Sequence, residues 1–245
     1  MLLRAGHVTF DIDGIVFDKD GTLISLDSYW LEPARLWVEV AADGSAELFA
    51  RLGDALGLGT RDRSELPMLV SDGAHASASI DELVQLTRSA LENAGVAPEA
   101  AHQRARRARD RAAELSATLT PEPIGDVRGA LTLLDGAGLQ LAVATTDDTQ
   151  PTLEALSALG VASLIRVVVA ADGDVPPKPD PSVLSFIAAQ LGTSPERLLM
   201  VGDSQRDADT ARAGGAAGFV LVSPDGSARI TADAVVPSIA DLSAG

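Results

Sequence analysis

Four short, continuous apolar runs dominate the second half of the chain: Leu139–Ala144, Leu164–Ala170, Leu198–Val201 and Gly218–Val222. Each is too short and too uninterrupted for an amphipathic helix, so each reads as a buried strand. Helical stretches separate them, at about 126–137, 149–159, 181–192 and 204–214. Pro151 and Pro181 stand near two of the helix starts, where a missing N–H costs little. Repeated strand–helix units predict an α/β fold, a parallel sheet with helices on both faces. Such sheets carry their chemistry at the carboxyl ends of the strands.

Residues 26 to about 118 differ in kind. Periodic Ala- and Leu-rich segments at about 28–42, 46–57, 80–94 and 98–117 predict four helices. The stretches 59–67 and 71–79 read as loops, and Thr118–Gly125, with prolines at 121 and 123, as a return linker. The expected organisation is therefore a core formed by 1–25 and 120–245, interrupted by an all-helical domain over 26–119.

Composition narrows the functions available. At 245 residues, 46% hydrophobic and 22% charged, the chain is ordinary globular material. A net charge of −16 argues against nucleic acid, whose binding needs basic surface. An anionic substrate would need a local positive site. The absence of cysteine excludes disulfides, thiolate metal sites and a cysteine nucleophile. No apolar run approaches the ~18 residues of a membrane span, and Met1–His7 holds no long apolar segment. A cytoplasmic protein with no membrane partner is the expectation. Of nineteen basic residues seventeen are Arg; the two lysines, Lys19 and Lys178, both fall inside candidate motifs.

Those motifs lie at the predicted strand ends. Asp18 and Asp20 follow the apolar run Ile15-Val16-Phe17 and precede a turn at Gly21-Thr22. Thr145 and Thr146 close the strand ending at Ala144. Lys178 lies in Pro176-Pro177-Lys178-Pro179-Asp180-Pro181, and Asp203 and Asp207 in Gly202-Asp203-Ser204-Gln205-Arg206-Asp207. An ionised carboxylate can act as a covalent nucleophile, and a second one can serve as acid and then base. Mg²⁺ takes hard oxygen ligands, so one or two carboxylates can suffice beside water or an anionic substrate. A second D-x-D-G run, Asp11-Ile12-Asp13-Gly14, lies upstream, but its flanking strand is weaker and Ile15 stands where Thr22 follows Gly21 in the other run. Asp11 and Asp13 are therefore read as polar positions on a short extended segment.

The ordered set of D-x-D-G-T-L, a strand-closing Thr, a Lys-Pro-Asp-Pro loop and G-D-S-x-x-D resembles the haloacid dehalogenase-superfamily phosphohydrolases, of the phosphoglycolate-phosphatase-like type with a helical cap. The likeness covers about 15–24 and 124–236. The frequent D-G-T-L-x-D-S continuation is interrupted, since Ile24-Ser25-Leu26 precede Asp27-Ser28. The resemblance implies a Rossmann-like core, Mg²⁺ as cofactor, a small phosphorylated metabolite as partner and a monomer or homodimer. It implies Asp18 as nucleophile, Asp20 as acid–base, and Thr145 and Lys178 as charge stabilisers. It further implies Asp18, Asp203, Asp207 and Asp20 (through its carbonyl) around the metal, and Gly21, Thr22, Thr146, Arg61 and Arg63 near substrate.

Other readings stay in view. Tyr29, Trp30, Ala34 and Trp37 form a stripe read as core, and Arg104, Arg106, Arg107, Arg109 and Arg111 a solvated helix face. His75 is assigned to an insertion loop, and Asp147 and Asp148 to capping the helix that follows. A sugar-phosphate mutase of the same superfamily is the first alternative, and a non-catalytic phosphate-binding or phosphoaccepting module the second. A phosphonatase is excluded, because its Schiff-base lysine would come from an insertion that here holds no Lys.

Overall fold

The computed structural model describes residues 1–59, 68–69, 73–228 and 230–245. They form two compact units, Met1–Ser25 with Pro121–Gly245, and Leu26–Thr120. The chain opens with strands β1 (Leu2–Ala5), β2 (Val8–Asp11) and β3 (Gly14–Phe17). The inserted unit then runs through α1 (Leu26–Ala42), α2 (Ala46–Leu56), β4 (Leu58–Gly59), β5 (Met68–Leu69), α3 (Ala74–Ser77), α4 (Ile80–Asn93) and α5 (Pro98–Ser116). The chain returns to the first unit with α6 (Val127–Gly136), β6 (Gln140–Ala144), α7 (Thr149–Ala158), β7 (Ile165–Val169) and α8 (Ser182–Leu191). It finishes with β8 (Leu198–Gly202), α9 (Gln205–Gly214), β9 (Gly218–Val222), β10 (Ala234–Val236) and β11 (Leu242–Ala244).

Six strands make the main sheet, in the order β10-β9-β8-β3-β6-β7, and all its pairs are parallel. The winding reverses at β3: β6 and β7 extend the sheet on one side, β8, β9 and β10 on the other. Register decides what this does for chemistry. Phe17 pairs with Val143 of β6 and with Val201 of β8, so three strands end level. The segments after Phe17, Ala144 and Gly202 therefore emerge side by side at the switch point, where such folds bind ligands. Apolar packing holds β3 there, since Ile15, Val16 and Phe17 are fully buried. Ile15 and Phe17 join one core cluster with Leu141, Val143 and Leu199; Val16 joins the opposite one with Ala142, Met200 and Ile187.

A second, antiparallel sheet, β11-β1-β2, was not expected from the sequence. It brings the chain's last residues beside its first, with Leu3 paired to Ala244 and to Phe10. Alternation in β1 buries Leu3 and Ala5 while Leu2 and Arg4 face out.

The inserted unit is built from the four expected helices. Pro98 opens α5 at a position that needs no N–H, and Ser79 caps α4 in a box with Glu82. Ala101, Ala105, Ala108 and Ala112 make a small-residue stripe along α5, which packs against α1. Trp37 of α1 is buried, and its indole Nε1 donates to the Thr87 hydroxyl at 2.9 Å. Besides helices this unit carries the two-residue pair β4–β5, and α3 lies inside the stretch read as a loop. Of the α5 arginines, Arg106, Arg107 and Arg111 face water, while Arg104 and Arg109 are half-buried; Arg111 pairs with Glu114 on its own helix and Arg104 with Asp43. No helix among the described residues is long and apolar enough to cross a membrane.

Candidate active site

Asp18 is the first residue past β3, and its N–H donates to the Val201 carbonyl at 2.8 Å, continuing the ladder by one step. Its carboxylate is buried. Lys178 Nζ donates to Asp18 Oδ1 at 2.6 Å and to Asp207 Oδ1 at the same distance. Asp18 Oδ2 has no hydrogen-bond partner among the described residues, and neither has the half-buried Asp203 carboxylate. Oxygens of Asp18, Asp203 and Asp207 lie within 4.8 Å of one another.

Asp207 is committed on both sides. Its Oδ2 accepts from the Ser204 hydroxyl at 2.6 Å and from the Ser204 N–H at 3.1 Å, a capping box that starts α9. Gly202 makes room for it, since a Cβ there would fall on the Asp207 carboxyl group. Asp207 thus holds Lys178 and the helix start while standing in one oxygen cluster with Asp18 and Asp203. Arg206 supports the same loop, donating to the Lys178 carbonyl at 2.8 Å.

Gly21 turns the chain with φ +81°, and a Cβ at that position would land on the Asp203 carboxylate. Only glycine allows both the left-handed turn and the close approach. Thr22 is fully buried, and its hydroxyl finds no partner among the described residues. Thr145 is buried after β6, where its Oγ1 accepts from the Asp147 N–H at 3.1 Å. The hydroxyl's own proton is left for a ligand. Thr146 is half-buried beside it. Arg61 and Arg63 lie outside the described residues.

Sequence reasoning missed a second charged cluster. Lys19, 1% exposed, lies 2.8 Å from Asp20 Oδ1, 2.7 Å from Asp20 Oδ2 and 3.1 Å from Asp147 Oδ2. Asp147 therefore does not cap α7 as expected: its carboxylate serves Lys19, and Asp148, at the cap position, makes no side-chain cap bond. The Asp172 carboxylate takes the Thr149 N–H of α7 instead, at 2.8 Å. Only the scarcity of lysine pointed to this cluster. His75 is also placed differently. It belongs to α3, its ring lies edge-on to Trp37 with centroids 5.7 Å apart, and burial pushes its imidazole down to about 4.

The upstream D-x-D run is structural. Arg197 donates to Asp13 Oδ2 at 3.0 Å and Oδ1 at 2.6 Å, and pairs with Asp11 at 2.9 Å. This clasp joins β2 and β3 to the turn before β8, away from the carboxyl ends of the strands.

Four carboxylates, those of Asp18, Asp207, Asp20 and Asp147, thus pair with two ammonium groups, and Asp203 adds a fifth beside Asp18 and Asp207. Burial pushes the Asp18 carboxyl up to about 7, against the pull of Lys178 and with Asp207 and Asp20 adding to the rise. Burial also raises Asp203 well above the ordinary range, helped by the Asp18 charge. Desolvation alone would depress Lys178, yet Asp18 and Asp207 outweigh it and raise it above its usual value. An excess of hard oxygen donors, with Asp203 and one Asp18 oxygen lacking a hydrogen-bond partner among the described residues, fits a small divalent cation.

The sheet, the switch-point position of Asp18 and the ordered motifs define a class, and the chain belongs to the haloacid dehalogenase-like hydrolases, whose family model matches residues 12–215. Over 92 residues it is 36% identical to a phosphoglycolate phosphatase of Salmonella choleraesuis (strain SC-B67), covering 38% of this chain and 35% of the relative. Over 111 residues it is 37% identical to the phosphoglycolate phosphatase of Rhodospirillum rubrum, covering 43% of this chain and 46% of the relative. The matched stretch spans less than half the length of these relatives. Among solved structures, that of a predicted phosphoglycolate phosphatase from Haemophilus somnus 129pt superposes with a TM-score of 0.69 at 21% identity, covering 96% of this chain and 97% of the other. A β-phosphoglucomutase from Clostridium difficile superposes with a TM-score of 0.66 at 14% identity, covering 94% and 92%. At these identities the structural likeness shows a shared fold.

Proposed function

We propose that the chain is a Mg²⁺-dependent phosphatase that hydrolyses a small phosphomonoester through an aspartyl-phosphate on Asp18. The observation that carries this reading is the state of the Asp18 carboxylate: one oxygen is pinned by Lys178 at 2.6 Å, and the other has no hydrogen-bond partner among the described residues, at a parallel-sheet switch point. A carboxylate so fixed is aimed and partly stripped of water, as a nucleophile must be.

In the first step an Asp18 oxygen bonds to phosphorus as the bond to the leaving oxygen breaks, and Asp20 gives that oxygen its proton. In the second, Asp20 takes a proton from water, whose oxygen attacks phosphorus and displaces the Asp18 carboxylate, releasing inorganic phosphate. Lys178 offsets charge on Asp18 and the transferring group, and the Thr145 hydroxyl donates to a phosphoryl oxygen. Mg²⁺, held by Asp18, Asp203 and the Asp20 carbonyl, would supply Lewis-acid charge that offsets repulsion between carboxylate and phosphate. Asp207 contributes by fixing Lys178. Residues 26–119 are proposed as a cap that excludes water and sets specificity.

Phosphoglycolate is the first substrate to try, because the relatives of 36–37% identity are phosphoglycolate phosphatases. The mutase alternative has only fold likeness behind it. A cytoplasmic location and action as a monomer or homodimer belong to the same proposal. The test is phosphate release from p-nitrophenyl phosphate and a panel of phosphorylated metabolites with Mg²⁺. Turnover lost in Asp18→Asn is expected. Phosphate binding without turnover of any ester would favour a non-catalytic module instead.

A further inference from the structure

The chain's only two lysines are both buried in the site, and they are used alike. Lys178 bridges Asp18, at the end of β3, to Asp207 of α9. Lys19 bridges Asp20, on the same segment as Asp18, to Asp147 of the turn after β6. The proposed mechanism employs the first bridge and leaves the second without a task. Burying an ammonium carries a desolvation penalty that only close pairing offsets. A chain with seventeen arginines that retains a lysine here needs a compact cation rather than a planar fork.

We propose that Lys19 is a positioning residue for Asp20, with Asp147 as its buried anchor; the inference rests on the phosphatase reading. Both Asp20 oxygens lie within 2.8 Å of the Lys19 ammonium, so the carboxylate's direction is set by where that ammonium stands. Asp147 fixes the ammonium in turn. Its own carboxylate is held by the Asp148 N–H at 2.8 Å, and its N–H is held by Thr145 Oγ1 at 3.1 Å. The acid–base carboxylate is thereby tied to the turn that presents Thr145 to the phosphoryl group. Asp147 shares the ammonium, so Lys19 stays paired whichever form Asp20 takes in the cycle. Lys19, at 1% exposure, acts through Asp20 rather than on substrate.

The test uses leaving groups. Phenoxide needs a proton from the enzyme far more than p-nitrophenoxide does, while the two esters are nearly the same size. In Lys19→Met, kcat/KM should fall on the order of 10²-fold on phenyl phosphate and less than about tenfold on p-nitrophenyl phosphate, with Lys19→Arg recovering part of the selective loss. Asp147→Asn, which keeps the side-chain shape and leaves Lys19 paired to Asp20, should show the same selectivity more weakly and supplies the reading if Lys19→Met does not fold. Equal losses on the two esters, or none, would overturn the positioning role while wild-type turnover upholds the phosphatase. A wild type that turns over neither ester, nor any metabolite phosphate, would overturn the phosphatase reading and this inference with it.

Discussion

Lys178 Nζ lies 2.6 Å from Asp18 Oδ1 although 160 positions separate the two residues in sequence. The contact exists because β3 and β8 pair in register and the loop before α8 reaches back over their ends, where Asp207 accepts the ammonium's second bond. Asp18, the proposed nucleophile, its counter-charge and the helix start are thus one buried unit. Replacing Lys178 by Met leaves two buried carboxylates without their cation, which should cost about 3–5 kcal/mol in urea-unfolding experiments. Turnover should fall by roughly 10²–10³, as when a preorganised electrostatic donor is removed.

The two D-x-D runs make opposite predictions. Asp11→Asn and Asp13→Asn should retain turnover, because Arg197 claims both carboxylates at the other end of the sheet. Arg197, and then Thr193, hold Asp13 at about 2, below its ordinary 3.8. The folded state therefore favours the ionised form. That contribution is fully present above 3.8 and is lost as pH falls through about 2. The melting-temperature deficit of Asp13→Asn should accordingly be constant at neutral pH and shrink over that acid window in pH-dependent thermal melts.

Gly21→Ala should cost about 1–2 kcal/mol for forcing a side chain into the left-handed region. Its Cβ also meets the Asp203 carboxylate, so the loss should extend to the site. Activity is expected to drop on the order of 10²-fold, the scale of a small misplacement of catalytic groups. Steady-state kinetics beside a denaturation curve separates the two effects.

In the inserted unit, Thr87→Val keeps volume but removes the acceptor of the Trp37 indole N–H. A buried donor left unsatisfied costs about 1–3 kcal/mol, and equilibrium unfolding of the variant should show it.

The main sheet was legible because β6, β7, β8 and β9 are short, mostly apolar runs, and periods near 3.6 marked the helices between them. The sheet β11-β1-β2 was not, because its strands are only three or four residues long and its pairing joins the two ends of the chain. Asp18, Lys178, Asp203 and Asp207 could be found through spacing behind apolar strands, but spacing does not reveal that Asp207 spends both oxygens on Lys178 and Ser204. Asp147 illustrates the limit most clearly. Before Thr149-Gln150-Pro151 it reads as a helix cap, and only the approach of β3 to β6 gives it Lys19 as a partner.

The central claim, covalent chemistry on Asp18, is tested most directly by acid-quenching turnover of a radiolabelled phosphomonoester with Mg²⁺ and following label on the protein. The account predicts acid-stable, base-labile label on wild type and on Asp11→Asn, and none on Asp18→Asn. Label that persists in Asp18→Asn and vanishes in Asp11→Asn would contradict it.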